Sequence, residues 1–350
     1  MNRKGRPGID PAALKKILLI RLRRIGDIVL TTPAVALLKN KLPGSSLAYV
    51  VEEPYQRLVE GNPCLDQIIV IEKKQAARDF YRFLRQIRAE GYDAVIDFHG
   101  GPKAFWMTFF SRAKVRIGYQ TKYKSFIYTI RIPRRRSEGP MHSVENHINL
   151  VRALGLNGHE DPPASLFLPH PRREETDRIN NFLERKNLSE SRTVILHVGA
   201  GNKFRDWGVT NLVELITLLT SLPQVKVVLI GSEEDKKAEE EIVKKCSPPP
   251  LSLVGELNLM ELKQLISRAA LFVGPDSGPM HIAASTSTPI VAYFGPTLPA
   301  HFAPWQAKAI LLEKDIPCRP CRQRKCPSED FRCLRTIRAE DVFNACRQFL

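Results

Sequence analysis

Short, uninterrupted apolar runs recur along most of the chain, separated by stretches whose apolar residues return every three or four positions. A strand that is apolar on both faces must be covered on both faces. Amphipathic helices in the connections do this, so the alternation confines the chain to open, mainly parallel sheets wrapped in helices. The strand-like runs of the first half are ILLI (17–20), SLAYVV (46–51), QIIVI (67–71), DAVIDF (93–98), KVRIGY (114–119) and SFIYTIRI (125–132). Helical periodicity begins at Ile28 and returns over 76–91 and 142–156. A polar, proline-rich interval at 157–174 breaks the rhythm. It restarts with helical patterns at 174–187, 210–222, 233–245, 259–270 and from 277, between the runs TVILHV (193–198), VKVVLIG (225–231), LSLVG (251–255), LFVGPD (271–276) and PIVAYFG (289–295).

Two Rossmann-like, doubly wound α/β domains facing a central cleft are therefore expected, with ligands at the carboxyl ends of the strands. The expected boundaries are a disordered extension at 1–15, a first domain at 16–160, a linker at 161–174, a second domain at 175–337, and a last helix at 338–350 packing back on the first domain.

The apolar content of 43% with 26% charged residues is that of a folded globular protein. No run of 18 apolar residues occurs, and the first fifteen residues lack the apolar core of a secretory signal, so a cytoplasmic protein is expected. The net charge of +16 points to a polyanionic partner: nucleic acid, acidic lipid or a phosphorylated substrate. The seven cysteines gather toward the C-terminus and do not form the framework of a disulfide-rich secreted protein.

Three short stretches sit at strand-to-helix turns. RIGDIVLTTP (24–33) places Asp27 after Arg21, Arg23 and Arg24; the acid could be an ordinary helix cap or a functional group at a strand's carboxyl end. HVGAGNKFRDW (197–207) has two glycines but no third at dinucleotide spacing, which argues against a nicotinamide site. Its Lys203 and Arg205 suit a phosphate, although a solvated turn also fits. VGPDSGPMHIAAS (273–285) starts a helix at Ser277 and Gly278, whose orphan N–H groups favour an anion. His281, one turn in, is either a core histidine or a phosphate donor. No nucleophile elbow, Walker loop, H-E-x-x-H or D-x-D pair occurs, which speaks against hydrolase, NTPase and divalent-metal chemistry.

As a set and in this order, RIGDIVLTTPA, RDW and GPDSGPMHIAASTSTPIVAYFGPT resemble the heptosyltransferases of lipopolysaccharide core assembly, glycosyltransferase family 9. The resemblance runs from Ile17 to about Ile337. It implies a GT-B fold with an acceptor-binding N-terminal domain and a C-terminal domain for ADP-heptose. It implies an inverting transfer to the lipopolysaccharide inner core with Asp27 as general base, and acceptor contacts at Arg21, Arg23, Arg24, Gly100 and Gly101. Arg205 stands where the family carries the lysine of a K-x-W motif, leaving Lys203 as its competitor. Glu233, Asp276, Ser277, Gly278 and His281 take donor-binding positions; GAGN (199–202) departs from the hydroxyl residues often found there.

No cofactor is expected. Cys318, Cys321, Cys326 and Cys333 have an irregular spacing that admits zinc but fits free or redox-paired thiols better. The expected partners are ADP-heptose, an anionic lipid A–core acceptor and the cytoplasmic leaflet of the inner membrane, where the protein is peripheral. Another sugar in the same family, a basic nucleic-acid-binding protein and a nucleotide-sugar epimerase are the alternatives. Nucleic acid is not expected because most aromatics fall in strand and helix patterns rather than interleaving with basic residues.

Overall fold

Two units make up the chain, residues 1–169 and 170–350. The computed structural model describes residues 10–123, 125–133, 141–156, 164–188, 192–199, 201–327 and 329–350. The first unit holds strands β1 (Lys16–Ile20), β2 (Ser46–Glu52), β3 (Gln67–Ile71), β4 (Ala94–Asp97), β5 (Val115–Tyr119) and β6 (Ile130–Ile132). They form one parallel sheet in the order β3-β2-β1-β4-β5-β6. Its helices are α1 (Ile25–Val29), α2 (Thr32–Lys41), α3 (Ala77–Glu90), α4 (Pro102–Ser111) and α5 (Ser143–Arg152). Leu84 and Ile87 of α3 and Ala104 and Met107 of α4 pack on Leu18, Ile20, Val50 and Val95 of the sheet. Each such fully buried Leu, Ile, Val or Met contributes about 1.5–3 kcal/mol relative to exposure.

The second unit repeats the design. Its sheet has the order β12-β11-β10-β7-β8-β9, all parallel, from β7 (Arg192–His197), β8 (Val225–Ile230), β9 (Leu251–Ser252), β10 (Leu271–Pro275), β11 (Ile290–Phe294) and β12 (Ala309–Glu313). The helices are α6 (Arg173–Arg185), α7 (Val209–Thr220), α8 (Lys236–Lys245), α9 (Leu259–Ser267), α10 (Gly278–Ala283), α11 (Pro299–Phe302), α12 (Arg332–Arg335) and α13 (Ala339–Cys346). Among the described residues no helix is long and apolar enough to cross a membrane.

Several expectations need correction. Residues 1–9 lie outside the described residues, but 10–15 are not a disordered tail. Asp10 caps a single 3₁₀ turn over Pro11–Ala13, and the Asp93 carboxylate accepts the N–H groups of Lys15 and Lys16 at 2.8 and 2.9 Å. The helix expected from Ile28 is two helices: α1 starts earlier, and Pro33, lacking an N–H and crowding the preceding turn, forces a restart at α2. Of the 125–132 run only Ile130–Ile132 pairs as a strand, while Ser125–Ile127 is a 3₁₀ turn. The last helix, expected on the first domain, instead lays Val342, Ala345 and Cys346 into the core of the second unit with Trp207, Leu212 and Leu215. Of the linker expected at 161–174, residues 161–163 lie outside the description; the two units meet at Pro169–His170 and α6 begins at Arg173.

The strand orders locate the sites. In the first sheet the chain moves outward from β1 to β3, then returns to the other side of β1 with β4, so the order reverses between β1 and β4. In the second sheet it reverses between β7 and β10. Ligands of doubly wound sheets bind beside such switch points, because the two loops leaving them diverge and open a crevice.

Candidate functional site

At the first switch point the loop after β1 faces the loop after β4. Arg21, one residue past β1, is 6% exposed, and its Nη2 lies 2.5 Å from Oδ2 of Asp27. Its Nη1 donates to the carbonyl of Phe98 at 2.7 Å, tying the two loops together. Asp27 is the third residue of α1, not its cap; the cap position is Arg24, whose N–H lies 3.5 Å from the same Oδ2. Both contacts fall on Oδ2. Oδ1 has no partner among the described residues, and the side chain is 35% exposed. Burial opposes the charge of Asp27, but the adjacent Arg21 guanidinium and its hydrogen bond outweigh that opposition and hold the carboxyl below the usual range. Asp27 is thus an ionised acid with one oxygen held and one open.

Around it the other candidate residues divide. Arg23 is half-exposed with Nε 3.7 Å from Glu52 Oε2, and Glu52, buried at the end of β2, also takes Lys103 Nζ at 3.0 Å. The Arg24 side chain is exposed. Gly100 gives its N–H to Oδ1 of Asp97 at 2.8 Å and adopts φ +70°, a left-handed conformation that glycine accepts without strain. Gly101 lies so close to the His99 ring that a Cβ there would stand 2.8 Å from it. Asp97, fully buried, also receives His99 N–H and the Tyr128 hydroxyl, at 2.8 and 2.7 Å. His99 was not singled out by the sequence. Burial, then the fields of Arg21 and Arg23, pulls its pKa to about 4, and its Nδ1 is buried without a hydrogen-bond partner among the described residues. Only the adjacency of β1 and β4 brings it to Asp27.

The second switch point carries the cationic turn and the DSGPMH helix start. Trp207 is buried against Tyr293, ring centroids 4.7 Å apart, and its indole N–H donates to the Ile337 carbonyl at 2.8 Å. This anchor fixes the turn two residues earlier. Arg205 there donates from Nη1 to the Asp276 carbonyl at 2.7 Å, with the Asp276 carboxylate 3.4 Å away. Its Nε reaches Gln323 at 3.3 Å. Lys203 instead is exposed, its Nζ over the ring of Phe204. Asp276 is buried, its carboxylate accepting from Thr297 Oγ1 at 2.6 Å and lying 4.0 Å from His281 Nε2. The Ser277 hydroxyl pairs with Nδ1 of His197 at 3.1 Å, and burial draws that histidine's pKa to about 4, so it is neutral at pH 7. Gly278 opens α10. Glu233 is exposed after β8 and pairs with Lys236 at 2.8 Å.

Gln323 and Thr297 belong to this site although neither was singled out; Thr297 closes the GPDSGPMHIAASTSTPIVAYFGPT stretch, whereas nothing in the local pattern of Gln323 announces it. Gln323 comes from the cysteine-rich segment and also receives Asn202 Nδ2 at 2.6 Å, so that segment steadies the cationic turn. Burial, then the neighbouring Cys318 and Cys321 sulfurs, raises the Cys333 thiol to about 11. Among the described residues no group of three or more His, Cys, Asp or Glu is placed to hold a metal ion.

The model of glycosyltransferase family 9 (heptosyltransferase) matches residues 80–331. Lipopolysaccharide heptosyltransferase 3 of Escherichia coli is 25% identical over 94% of this chain and 97% of its own. A family 9 glycosyl transferase from Veillonella parvula superposes with a TM-score of 0.83 at 24% identity, covering 96% of this chain and 97% of that one. The ADP-heptose lps heptosyltransferase II of E. coli superposes at 0.76 and 21% identity, with 95% and 98% coverage. The two parallel sheets are those of the GT-B heptosyltransferases.

Proposed function

The chain belongs to glycosyltransferase family 9, the heptosyltransferases, and from that premise we propose that it transfers heptose from ADP-heptose to an anionic inner-core lipopolysaccharide acceptor with inversion at the anomeric carbon. One observation carries the mechanistic reading: Asp27 lies at the switch point of the first sheet, ionised by Arg21 through Oδ2 and open at Oδ1. An acceptor hydroxyl placed about 3 Å from Oδ1 gives up its proton there as its oxygen forms the new bond to the anomeric carbon. The bond from that carbon to the diphosphate oxygen breaks on the opposite face, and its electron pair leaves with ADP. Arg21 keeps Asp27 ionised at neutral pH and fixes its rotamer. Arg23, Arg24, Gly100 and Gly101 flank the same loops and suit the acceptor's anionic groups.

Charge on the leaving diphosphate grows toward the transition state, so a cation held beside it lowers the barrier. Arg205 fits this role better than Lys203. It is oriented by the Asp276 carbonyl and Gln323, with Nη2 left without a partner among the described residues, whereas Lys203 turns to solvent. Ser277, Gly278 and His281 follow the same strand and suit the phosphates, and the exposed Glu233 carboxylate suits the ribose hydroxyls. The acceptor is carried by lipid, which places the working protein at the cytoplasmic leaflet of the inner membrane. Incubation with ADP-heptose and a panel of truncated core lipids, read by product mass, tests the reading. A gain of one heptose with release of ADP is expected; no product with any acceptor in the panel would refute it.

A further inference from the structure

Among the described residues, all six strongly exposed large apolar side chains lie in the first unit, and five of them gather around α4. Trp106 and Phe109 of α4 are 46% and 50% exposed, Phe126 of the following 3₁₀ turn 66%, Tyr123 76%, and Tyr81 of α3 55%. Tyr81, Trp106, Phe109 and Phe126 are joined through Phe105 and Phe110 into a connected surface. Phe105 meets Trp106 at 5.1 Å and Phe126 at 5.8 Å between ring centroids, Phe109 meets Phe110 at 5.7 Å, and Phe110 meets Tyr81 at 6.4 Å. Helix α4 turns Ala104, Met107, Thr108 and Ser111 inward, so its outer face is aromatic where a solvated helix is polar. Isolated surface aromatics need no explanation, but a contiguous cluster marks an interaction surface.

The neighbouring charge says what covers it. Arg78, Arg85 and Arg88 stand on the stripe of α3 that carries Tyr81, three or four residues apart, and all are exposed with no carboxylate partner among the described residues. Lys122 stands over the Tyr123 ring at 5.3 Å, and Arg112 at the end of α4 is exposed. Trp and Tyr rings suit a membrane–water boundary, one end apolar and the other wet, and arginines beside them attract anionic headgroups. A second copy of this surface would set the arginine stripe against itself.

We propose that the aromatic face of α4, with Tyr123, Phe126 and the arginine stripe of α3, is the surface by which this protein docks on an anionic lipid bilayer. The proposal deepens the reading above, on which it rests for a lipid-borne acceptor, but docking itself requires no transfer. The test is sedimentation of the full chain with vesicles of phosphatidylcholine alone or with one quarter phosphatidylglycerol, at about 0.1 M and about 1 M salt. Wild type is expected to partition onto the anionic vesicles only, and to be released at high salt. R78S/R85S/R88S is expected to weaken partitioning about a hundredfold, at roughly fivefold per arginine. W106S/F109S is expected to weaken it about tenfold or more while its melting temperature stays near wild type, since both side chains are exposed. Trp106→Phe is expected to keep binding and lose the blue shift of tryptophan emission on vesicles. Wild-type partitioning indifferent to anionic lipid, or unchanged in both multiple variants, overturns the proposal, as does a patch that instead governs self-association in sedimentation equilibrium. W106S/F109S is also assayed on a water-soluble, deacylated core acceptor, where wild-type rate is expected. Should wild type transfer heptose to no acceptor, the functional reading falls while the vesicle results still judge this surface.

Discussion

Substituting Asp27 by Asn tests the base and its counter-ion together. The amide preserves shape but cannot accept the acceptor's proton, and a positioned base supplies on the order of 10²–10⁴-fold, so transfer is expected to fall at least about a hundredfold. Retention of more than about a tenth of the rate would refute the base. The structure adds a second consequence. Arg21 is 6% exposed and Asp27 is its ion-pair partner, so D27N leaves a buried guanidinium with the Phe98 carbonyl and a neutral amide oxygen but without that counter-charge. Breaking a fully buried pair costs about 3–5 kcal/mol. Asp27 is 35% exposed, and solvent screening reduces this to about 1–2 kcal/mol. Urea unfolding of wild type, D27N, R21M and the double variant is expected to give that value as the coupling energy. The sign with pH follows from the depressed carboxyl. Its contribution is complete above the unfolded value of about 3.9 and is lost as pH falls through the lower folded value. The difference between wild type and D27N should therefore stay flat from about pH 8 to 5 and shrink only below about 4. Zero coupling, or a difference that collapses near neutrality, would sink the argument that Arg21 ionises Asp27.

Arg205→Ala is expected to lower the transfer rate by more than its loss of ADP affinity, measured by calorimetric titration, accounts for; a larger effect from Lys203→Ala would move the cation by two residues. Gly118→Ala places a Cβ 2.3 Å from the Tyr128 ring, whose hydroxyl serves buried Asp97; overpacking there should cost about 1–3 kcal/mol in thermal unfolding, and an unchanged melt would show that Tyr128 moves freely. His99 and His197 have folded pKa values near 4, below the unfolded histidine value, so the unfolded chain binds more protons between about pH 6.5 and 4 and stability should fall across that interval. H99Q or H197Q should flatten the slope of stability against pH, and an identical slope in both variants would contradict the buried neutral state.

The alternation of apolar runs and amphipathic stretches was sufficient for two parallel doubly wound sheets, because a strand buried on both faces leaves little choice of architecture. It also placed Asp27, Arg205 and Asp276 after strands. It missed helix α4, since PKAFWMTFFS carries aromatics on the face turned away from the core and so lacks the apolar-to-polar contrast of an amphipathic helix, and it missed the partly buried edge strand Ala309–Glu313. It could not order the strands, and the order is what selects a site. Adjacency of β1 with β4 brings His99 and the Phe98 carbonyl to Asp27, and adjacency of β7 with β10 brings Arg205 to Asp276. Which of three arginines neutralises Asp27 was equally undetermined, since Arg21 and Arg23 share a parity and only burial distinguishes them. Thr297 and Gln323 reach Asp276 and Arg205 from residues 21 and 118 positions away, contacts that no local period encodes. Periodicity records which face of each element avoids water; which elements become neighbours is decided only when the faces are packed.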